Sequence, residues 1–163
     1  MKMQEKKNSG IRVIIPNENY TLINTSRKGL PAVVVLNKSL RGFNYKSIFG
    51  WACTIRIMLK VLAENGMPTY EESCIALDFF DSLDSTIKGN DVHPNALFVS
   101  RITNDGILEA NWQLNDPGIV DKQLQSIIKG KTYPRDFDYE IRYDEEWDRI
   151  KWYLQDFSTD ESV

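Results

Sequence analysis

The sequence is poor in the residues that build disulfide frameworks and metal sites. It has two cysteines, Cys53 and Cys74, and one histidine, His93, among 163 residues. Two isolated cysteines are too few for a disulfide framework or a four-ligand zinc site, and one histidine excludes a multi-histidine metal site. Both cysteines fall on apolar faces of predicted elements, so we expect small buried thiols, with a reactive cysteine as the alternative, and we expect no metal or cofactor.

Long apolar runs are also missing. No stretch approaches the roughly 18 apolar residues of a membrane-spanning helix. The run Ile11–Ile15 is interrupted by Arg12 and closed by Pro16, which makes it too short for the core of a signal peptide. These absences lead us to expect no membrane partner and a cytoplasmic location.

The charged residues are divided unevenly along the chain. Residues 1–61 contain 11 Lys/Arg and 2 Asp/Glu, whereas residues 62–163 contain 9 Lys/Arg and 21 Asp/Glu, so the net charges are +9 and −12. The length and the 42% hydrophobic content suit one globular domain. We expect a disordered amino terminus at residues 1–10, a single α+β domain at 11–157 and a flexible tail at 158–163.

Hydrophobic periodicity predicts most of the secondary structure. Apolar and polar side chains alternate from Trp51 to Val61, which is typical of a long strand. Thr69-Tyr70-Glu71-Glu72 is a capping box that begins a helix, and Asn104-Asp105-Gly106 is a hairpin turn. The predicted elements are a strand at 51–61, a helix at 69–88, strands at 96–103 and 107–114, a helix at 117–129 and a strand at 137–143.

This β-α-β-β-α-β order predicts an α+β fold with a ferredoxin-like sheet over residues 51–143. We expect helices on one face of the sheet and a more open second face. Residues 20–25 and 30–36 predict an amino-terminal β-hairpin that extends the sheet, with Ile11–Ile15 beside it. A carboxy-terminal helix is predicted to begin at Asp144-Glu145-Glu146, with an apolar face of Trp147, Ile150, Leu154 and Phe157.

Several side chains on the predicted strands are assigned to the fold. We expect the polar face of strand 107–114 to meet solvent and the tyrosines of strand 137–143 to lie in the core. The acidic residues of that last strand are expected to form cross-strand ion pairs with the basic residues of the long strand. The polar face of strand 107–114 consists of Glu109, Asn111 and Gln113. The tyrosines are Tyr139 and Tyr143, the acidic residues are Asp138 and Glu140, and the basic residues are Arg56 and Lys60.

Four segments of the chain resemble a known family. They are GLPAVVV at 29–35, GMPTYEE at 66–72, VSRITNDG at 99–106, and YEI at 139–141 with DEEW at 144–147. In order and spacing, over about residues 20–157, they resemble family 695 of the domains of unknown function. That family is similar to the ribonuclease E regulator B proteins, small acidic ferredoxin-like proteins that bind a nuclease and inhibit it. The resemblance implies a binding or regulatory role and carries over no catalytic or metal-binding residue.

Carboxylates on the first predicted helix are candidate protein-binding residues. Asp78, Asp81 and Asp84 follow one another at i, i+3 and i+6, away from the apolar face. This spacing spreads them apart, whereas metal binding or hydrolysis needs carboxylates that converge. We interpret them as a solvated face, with a contact surface for a protein as the functional alternative.

Aromatic residues without a clear place in the core are the second set of candidates. Trp152 and Tyr153 lie near the edge of the last helix's apolar face, and Phe43 and Tyr45 lie in a glycine-flanked segment without periodicity. Exposed aromatic side chains anchor many protein interfaces. We take these four residues as candidate anchors, with packing beneath the sheet as the alternative for Phe43 and Tyr45.

Two other functions are weighed against protein binding. The basic residues of the amino-terminal part favour nucleic acid, but the acidic remainder would repel the same polyanion, so nucleic acid is disfavoured. A hydrolase would need Cys74 and His93 as a dyad, or clustered carboxylates. The sequence contains no G-x-S-x-G, no H-E-x-x-H and no glycine-rich phosphate loop.

The sequence therefore predicts a non-catalytic cytoplasmic protein that binds and regulates another protein. One specific form is an inhibitor of a nuclease or another enzyme. Another is an immunity protein that neutralises a basic toxin, because an acidic surface speeds the capture of a basic target. A hydrolase that uses Cys74 and His93 or clustered carboxylates is the alternative from a different class.

Overall fold

The strands and helices follow the predicted order along the chain. The computed structural model describes residues 3–8 and 11–154, so the predictions for Phe157 and for the tail at 158–163 lie outside the described residues. Within these ranges, no helix is both long and apolar enough to cross a membrane. The strands are β1 (Met3–Asn8), β2 (Ile11–Pro16), β3 (Tyr20–Arg27), β4 (Leu30–Asn37), β5 (Trp51–Met58), β6 (Ala96–Asn104), β7 (Ile107–Leu114) and β8 (Phe137–Tyr143); the helices are α1 (Tyr70–Lys88), α2 (Pro117–Gly130) and α3 (Lys151–Leu154); and 3-10 turns lie at Lys38–Leu40, Lys46–Phe49 and Asp148–Ile150.

Six of these strands form one sheet in the order β3-β4-β6-β7-β5-β8, with antiparallel neighbours throughout. The α+β class is confirmed, and β8 lies beside β5, as the β-α-β-β-α-β order requires. Arg56 on β5 forms the predicted ion pair with Asp138 on β8, with Nε and Oδ1 3.0 Å apart. Glu140 instead pairs with Arg142 and Arg149. The predicted strand pairing of Lys60 is wrong because β5 ends at Met58 and Lys60 lies beyond it.

The amino-terminal hairpin extends the sheet as predicted. Lys28 and Gly29 occupy the turn between β3 and β4 with φ of 53° and 80°. Positive φ at both central residues matches the twist of a two-residue hairpin. β4 then pairs with β6. β2 was expected beside this hairpin, but it pairs with β1, a strand within the residues 1–10 for which no regular structure was predicted.

The carboxy-terminal helix begins later than predicted. The Asp144 carboxylate accepts hydrogen bonds from the backbone N–H groups of Asp148 at 2.9 Å and Arg149 at 3.1 Å. Trp147 adopts a left-handed φ of 59°, and its Nε1–H donates to the Phe49 carbonyl at 2.9 Å. The acidic segment therefore forms a tight turn, held to the 3-10 turn at Lys46–Phe49 by a buried indole, and helical geometry starts only at Asp148.

Both faces of the sheet pack against other parts of the chain. α1 and α2 pack on one face, where Trp112 is fully buried. β2, the 3-10 turns and the carboxy-terminal segment pack on the second face, where Phe49 and Trp147 are fully buried. The prediction of a more open second face is therefore wrong.

Polar side chains of β7 lie beneath this second layer. Asn111 is 5% exposed and Gln113 is 0% exposed, although both were predicted to meet solvent. Asn111 accepts from the Thr54 hydroxyl at 2.7 Å and donates to Ser100 Oγ at 3.1 Å, and Gln113 donates to the Phe49 carbonyl at 3.0 Å. These hydrogen bonds compensate for the burial of the Asn111 amide and of the Gln113 N–H group, whereas Gln113 Oε1 is buried without a partner among the described residues. The opposite error occurs at Tyr143, which was predicted to lie in the core but is 62% exposed.

A buried ion pair ties the start of α1 to the loop before β8. Glu72 is 1% exposed, and its oxygens accept from Arg135 Nε at 2.7 Å and Nη2 at 2.6 Å. Glu72 also accepts the backbone N–H of Lys60 at 2.8 Å, whereas Thr69 caps the helix as predicted. The hydrogen bonds from Arg135 lower the pKa of Glu72 to about 2, against the effect of burial.

We expect Glu72→Gln to lower the free energy of unfolding at neutral pH by about 3 kcal/mol, because it leaves the Arg135 guanidinium without its counter-charge. The pKa of Glu72 lies below its unfolded value of about 4.3, so the contribution is present above that pH and is lost as the pH falls toward 2. Urea unfolding of both proteins from about pH 7 to about pH 2.5 should therefore show a shrinking difference. Glu71→Gln, at an exposed neighbour, is the control. A difference that stays constant over this range would contradict the assignment.

Candidate functional site

The two long helices are too narrow to cover the whole sheet. A helix with its side chains is about 10 Å wide and neighbouring strands are about 4.8 Å apart, so two helices cover about four strands. α1 and α2 lie over β5 to β8. The residues of β3 and β4 on this face remain uncovered: Leu22 is 61% exposed, and Val33 and Val35 are half-buried.

An apolar groove of about 250 Å³ lies between α1 and this uncovered part of the sheet; we call it the α1 groove. The sheet contributes side chains from β3, β4, β6 and β7, and α1 contributes the opposite side. The connection between β5 and α1 supplies the remaining lining. The lining residues are Leu22, Val33, Val35, Arg101, Thr103 and Leu108 from the sheet, Ser73, Ala76 and Leu77 from α1, and Leu59, Met67 and Pro68 from the connection.

Three of the four segments that carry the family resemblance meet at the α1 groove. Residues 29–35 contribute Val33 and Val35, residues 66–72 contribute Met67 and Pro68, and residues 99–106 contribute Arg101 and Thr103. These segments are far apart in the chain and become neighbours through the pairing of β4 with β6 and the return of the β5–α1 connection.

A glycine allows the β5–α1 connection to close one end of the groove. Gly66 has φ +83°, and a Cβ there would lie 3.0 Å from the Asp105 Cα in the β6–β7 turn. The Gly66 carbonyl accepts the N–H of Gly106 at 2.8 Å. Only a residue without a side chain combines this backbone conformation with this approach, so Gly66 holds Met67 and Pro68 in place.

A bulge in β6 places Arg101 in the groove. Phe98 pairs with Trp112, but Ser100 pairs with the adjacent Asn111, so β6 holds one extra residue, Val99. The bulge reverses the alternation of side chains, because the residues after it change face. Arg101 therefore pairs opposite Ala110 on the helix side of the sheet. Sequence alternation alone gave no sign of this position, and Arg101 was not among the predicted site residues.

The Arg101 guanidinium lies over an aromatic ring. Its central carbon is 4.7 Å from the centroid of the Phe80 ring, a cation–π contact. Burial lowers the pKa of Arg101, and the charges of Asp81 and Asp84 oppose that shift, so the side chain remains cationic. It is half-buried, so its charge is available to a ligand that enters the groove.

The acidic residues of α1 divide into two kinds. Asp78 and Asp81 are exposed, as predicted for a solvated face. Asp84 is part of the fold: its Oδ1 accepts from Trp112 Nε1 at 2.8 Å and its Oδ2 pairs with Lys88 Nζ at 2.7 Å. The interpretation of Asp84 as part of a solvated face is therefore wrong, because two buried or half-buried groups occupy its oxygens.

The four aromatic candidates also divide. Trp152 is 48% exposed and Tyr45 is 38% exposed, whereas Phe43 and Tyr153 are buried in the second-face core. Phe43 stacks on Trp147 with ring centroids 5.5 Å apart. Trp152 lies beside Arg149 and residues of the β3–β4 hairpin, on the face of the sheet opposite the α1 groove. The exposed candidates therefore do not join the groove.

The proposed hydrolase residues are not brought together. Cys74 lies in the second turn of α1 and His93 lies past its end. The helix rises about 21 Å between Cys74 and Lys88 alone, at 1.5 Å per residue. Over the described part of the chain, no three His, Cys, Asp or Glu side chains are grouped to hold a metal ion. The carboxylate Asp138 is paired with Arg56 instead.

These features define the class of the protein: an α+β fold on one antiparallel sheet, with an apolar groove beside its first helix. The chain belongs to the Family of unknown function (DUF695), whose model matches residues 18–155. The match runs from the residues before β3 to α3 and confirms the family resemblance. No curated protein and no solved structure was found to match the chain.

We expect Asp84→Asn to lower the free energy of unfolding by about 1–2 kcal/mol, because a neutral amide pairs more weakly with Lys88 and Trp112. Asp78→Asn, on the exposed side of the same helix, should change it by less than about 0.5 kcal/mol. Urea unfolding of the three proteins checks both values. Equal stabilities of the two variants would show that Asp84 belongs to the solvated face after all.

The two thiols should differ sharply in reactivity. Cys53 is buried, and burial raises the pKa of its thiol to about 12. Cys74 was predicted to be buried but is exposed. We expect a disulfide reagent to modify one thiol per chain rapidly in the native state and the second only in denaturant, since the thiolate is the reactive form. Cys74→Ser should abolish the rapid phase and Cys53→Ser should retain it; rapid modification of the Cys74→Ser variant would contradict this assignment.

Proposed function

We propose that this protein acts by binding a segment of another protein in the α1 groove and regulates that partner without chemistry of its own. The observation that carries the proposal is the apolar strip left uncovered beside α1. Leu22 is 61% exposed and Leu77 is 36% exposed, and they line one groove with Val33 and Val35. Clustered apolar side chains at the surface are a common mark of an interaction site.

The edge of the sheet supports the same proposal. β3 is the outermost strand of the sheet, and within the described residues no strand pairs with its outer side. Six of its eight residues are exposed. An unpaired edge is a place where an extended segment of a partner adds backbone hydrogen bonds. A partner strand there would lie next to Leu22, which belongs to the α1 groove.

Charge supports a regulatory form of binding. Residues 62–163 carry a net charge of −12, which favours rapid capture of a basic protein. A basic enzyme that this protein inhibits and a basic toxin that it neutralises as an immunity protein are both partners of this kind. The free thiols of Cys53 and Cys74 are in keeping with the cytoplasm as the place of action. The hydrolase alternative gains no support from geometry, because Cys74 and His93 lie far apart.

The proposal is tested by retention of partners on immobilised protein. We expect Leu22→Lys and Leu77→Lys each to reduce the retention of the partner bound by the unchanged protein about tenfold, because a lysine places a charge in an apolar contact. Ile119→Lys is the matched control, since Ile119 is 48% exposed on α2 and does not line the groove. Unfolding midpoints should be alike in all four proteins. Equal retention by the groove variants and the control would contradict the proposal.

A further inference from the structure

The α1 groove is apolar except for one positive charge. Among the described residues that line it, Arg101 alone is charged, and Ser73 and Thr103 add hydroxyl groups. An arginine has five N–H donors in one plane. No described residue accepts a hydrogen bond from the Arg101 side chain; its described contact is with the Phe80 ring. The groove thus offers a planar set of donors surrounded by apolar side chains.

The nearest carboxylates do not satisfy these donors. Both oxygens of Asp84 are occupied, one by Trp112 and the other by Lys88. Asp81 attracts Arg101 without forming an ion pair with it, and it remains exposed on α1. A carboxylate that reached the groove would therefore meet a guanidinium that is held in position by Phe80 and is free to form a bidentate pair.

We propose that the occupant of the α1 groove is a peptide segment of the partner in which an acidic side chain lies beside apolar ones. The carboxylate would pair with Arg101, and the apolar side chains would pack on Val33, Val35 and Leu77. This inference rests on the proposed function and adds the chemistry of the segment that is recognised.

The shape of the groove favours a peptide over a small molecule. Pockets for small ligands enclose most of the ligand's surface. The α1 groove has a volume of about 250 Å³, and it continues onto Leu22 at the exposed edge of the sheet. An extended segment can place two or three side chains in such a groove while its backbone remains at the surface.

The change in binding caused by Asp81→Asn distinguishes an acidic partner segment from a basic one. If an acidic partner segment binds at Arg101, the Asp81 carboxylate repels it, and Asp81→Asn strengthens binding. If a basic segment binds along the exposed carboxylates of α1, the same substitution weakens binding. The acidic-helix hypothesis and the Arg101 hypothesis therefore predict opposite effects of one substitution.

The test uses three blocked peptides, acetyl-LFEL-amide, acetyl-LFQL-amide and acetyl-LFKL-amide, titrated into the full chain. Binding is followed by the NMR shifts of the methyl groups of Val33, Val35 and Leu77. We expect the Glu peptide to bind roughly three- to tenfold more tightly than the Gln peptide, as a partly exposed charge-assisted pair allows, and the Lys peptide to bind most weakly.

Variants of the protein test whether Arg101 causes the preference for the Glu peptide. Arg101→Gln should abolish the preference for the Glu peptide, and Arg101→Lys, which keeps the charge, should retain a reduced preference. Arg142→Gln, at an exposed arginine on β8, is the control and should leave the preference unchanged. Asp81→Asn should strengthen binding of the Glu peptide roughly twofold.

The outcomes separate this inference from the proposed function. Equal binding of the three peptides would overturn the inferred pairing of a carboxylate with Arg101. A preference for the Lys peptide that Asp81→Asn weakens would overturn it too. In both cases the groove would remain a binding site. Absence of methyl shifts with all three peptides would also overturn the inference. The proposed function itself fails only if Leu22→Lys and Leu77→Lys leave partner retention unchanged.

Discussion

The extra residue in β6 determines which side chains of this strand face each core. Phe98, before the bulge, packs against Phe80 and Trp112 on the helix side. Ser100, after the bulge, joins a hydrogen-bonded polar group on the second face. Unbroken alternation would place Arg101 in the apolar second core, where an unpaired charge costs several kcal/mol. The bulge avoids that cost and places the arginine at a part of the helix side that α1 and α2 leave open.

The groove exists because the sheet is wider than the layer of two helices that packs on it. The hairpin of β3 and β4 widens the sheet on one side, and no described helix accompanies it. β4 is apolar on both faces: Ala32, Val34 and Leu36 pack in the second core, and Val33 and Val35 line the groove. A strand pair added only to cap the second core would be expected to carry polar residues toward the helices. Val33 and Val35 lie on that side instead, and they make the groove apolar.

The sequence predicts the helices and strands better than it predicts the face of the sheet on which each side chain lies. Alternation in residues 137–143 and the turn at Asn104-Asp105-Gly106 were sufficient for the strands, and the capping box was sufficient for α1, because these signals are local. The neighbouring positions of β5 and β8 followed from the order of the elements. The face of Arg101 could not be predicted, since a bulge depends on the pairing partner and leaves no composition signal.

Burial of polar residues was mispredicted for a related reason. Asn111 and Gln113 alternate with apolar residues in the way that solvent-facing residues do. Their burial depends on hydrogen bonds to Thr54 and to the Phe49 carbonyl, which come from distant parts of the chain. The groove could be predicted only in its parts: the sequence indicated a strand at residues 30–36 and a connection between the strand at 51–61 and the helix at 69–88, but their contact beside α1 depends on the tertiary structure.

The single hydrogen-bonded ladder of β3 has a consequence for how binding and local stability are linked. Among the described strands, β3 pairs only with β4, and most of its residues are exposed. Such a strand can open without unfolding the rest of the sheet, at a lower free energy than global unfolding. A ligand that contacts Leu22 stabilises the closed state of this strand. Substitutions in the turn at Lys28 and Gly29, which touch no ligand, would then change affinity by changing how often the edge of the groove is formed.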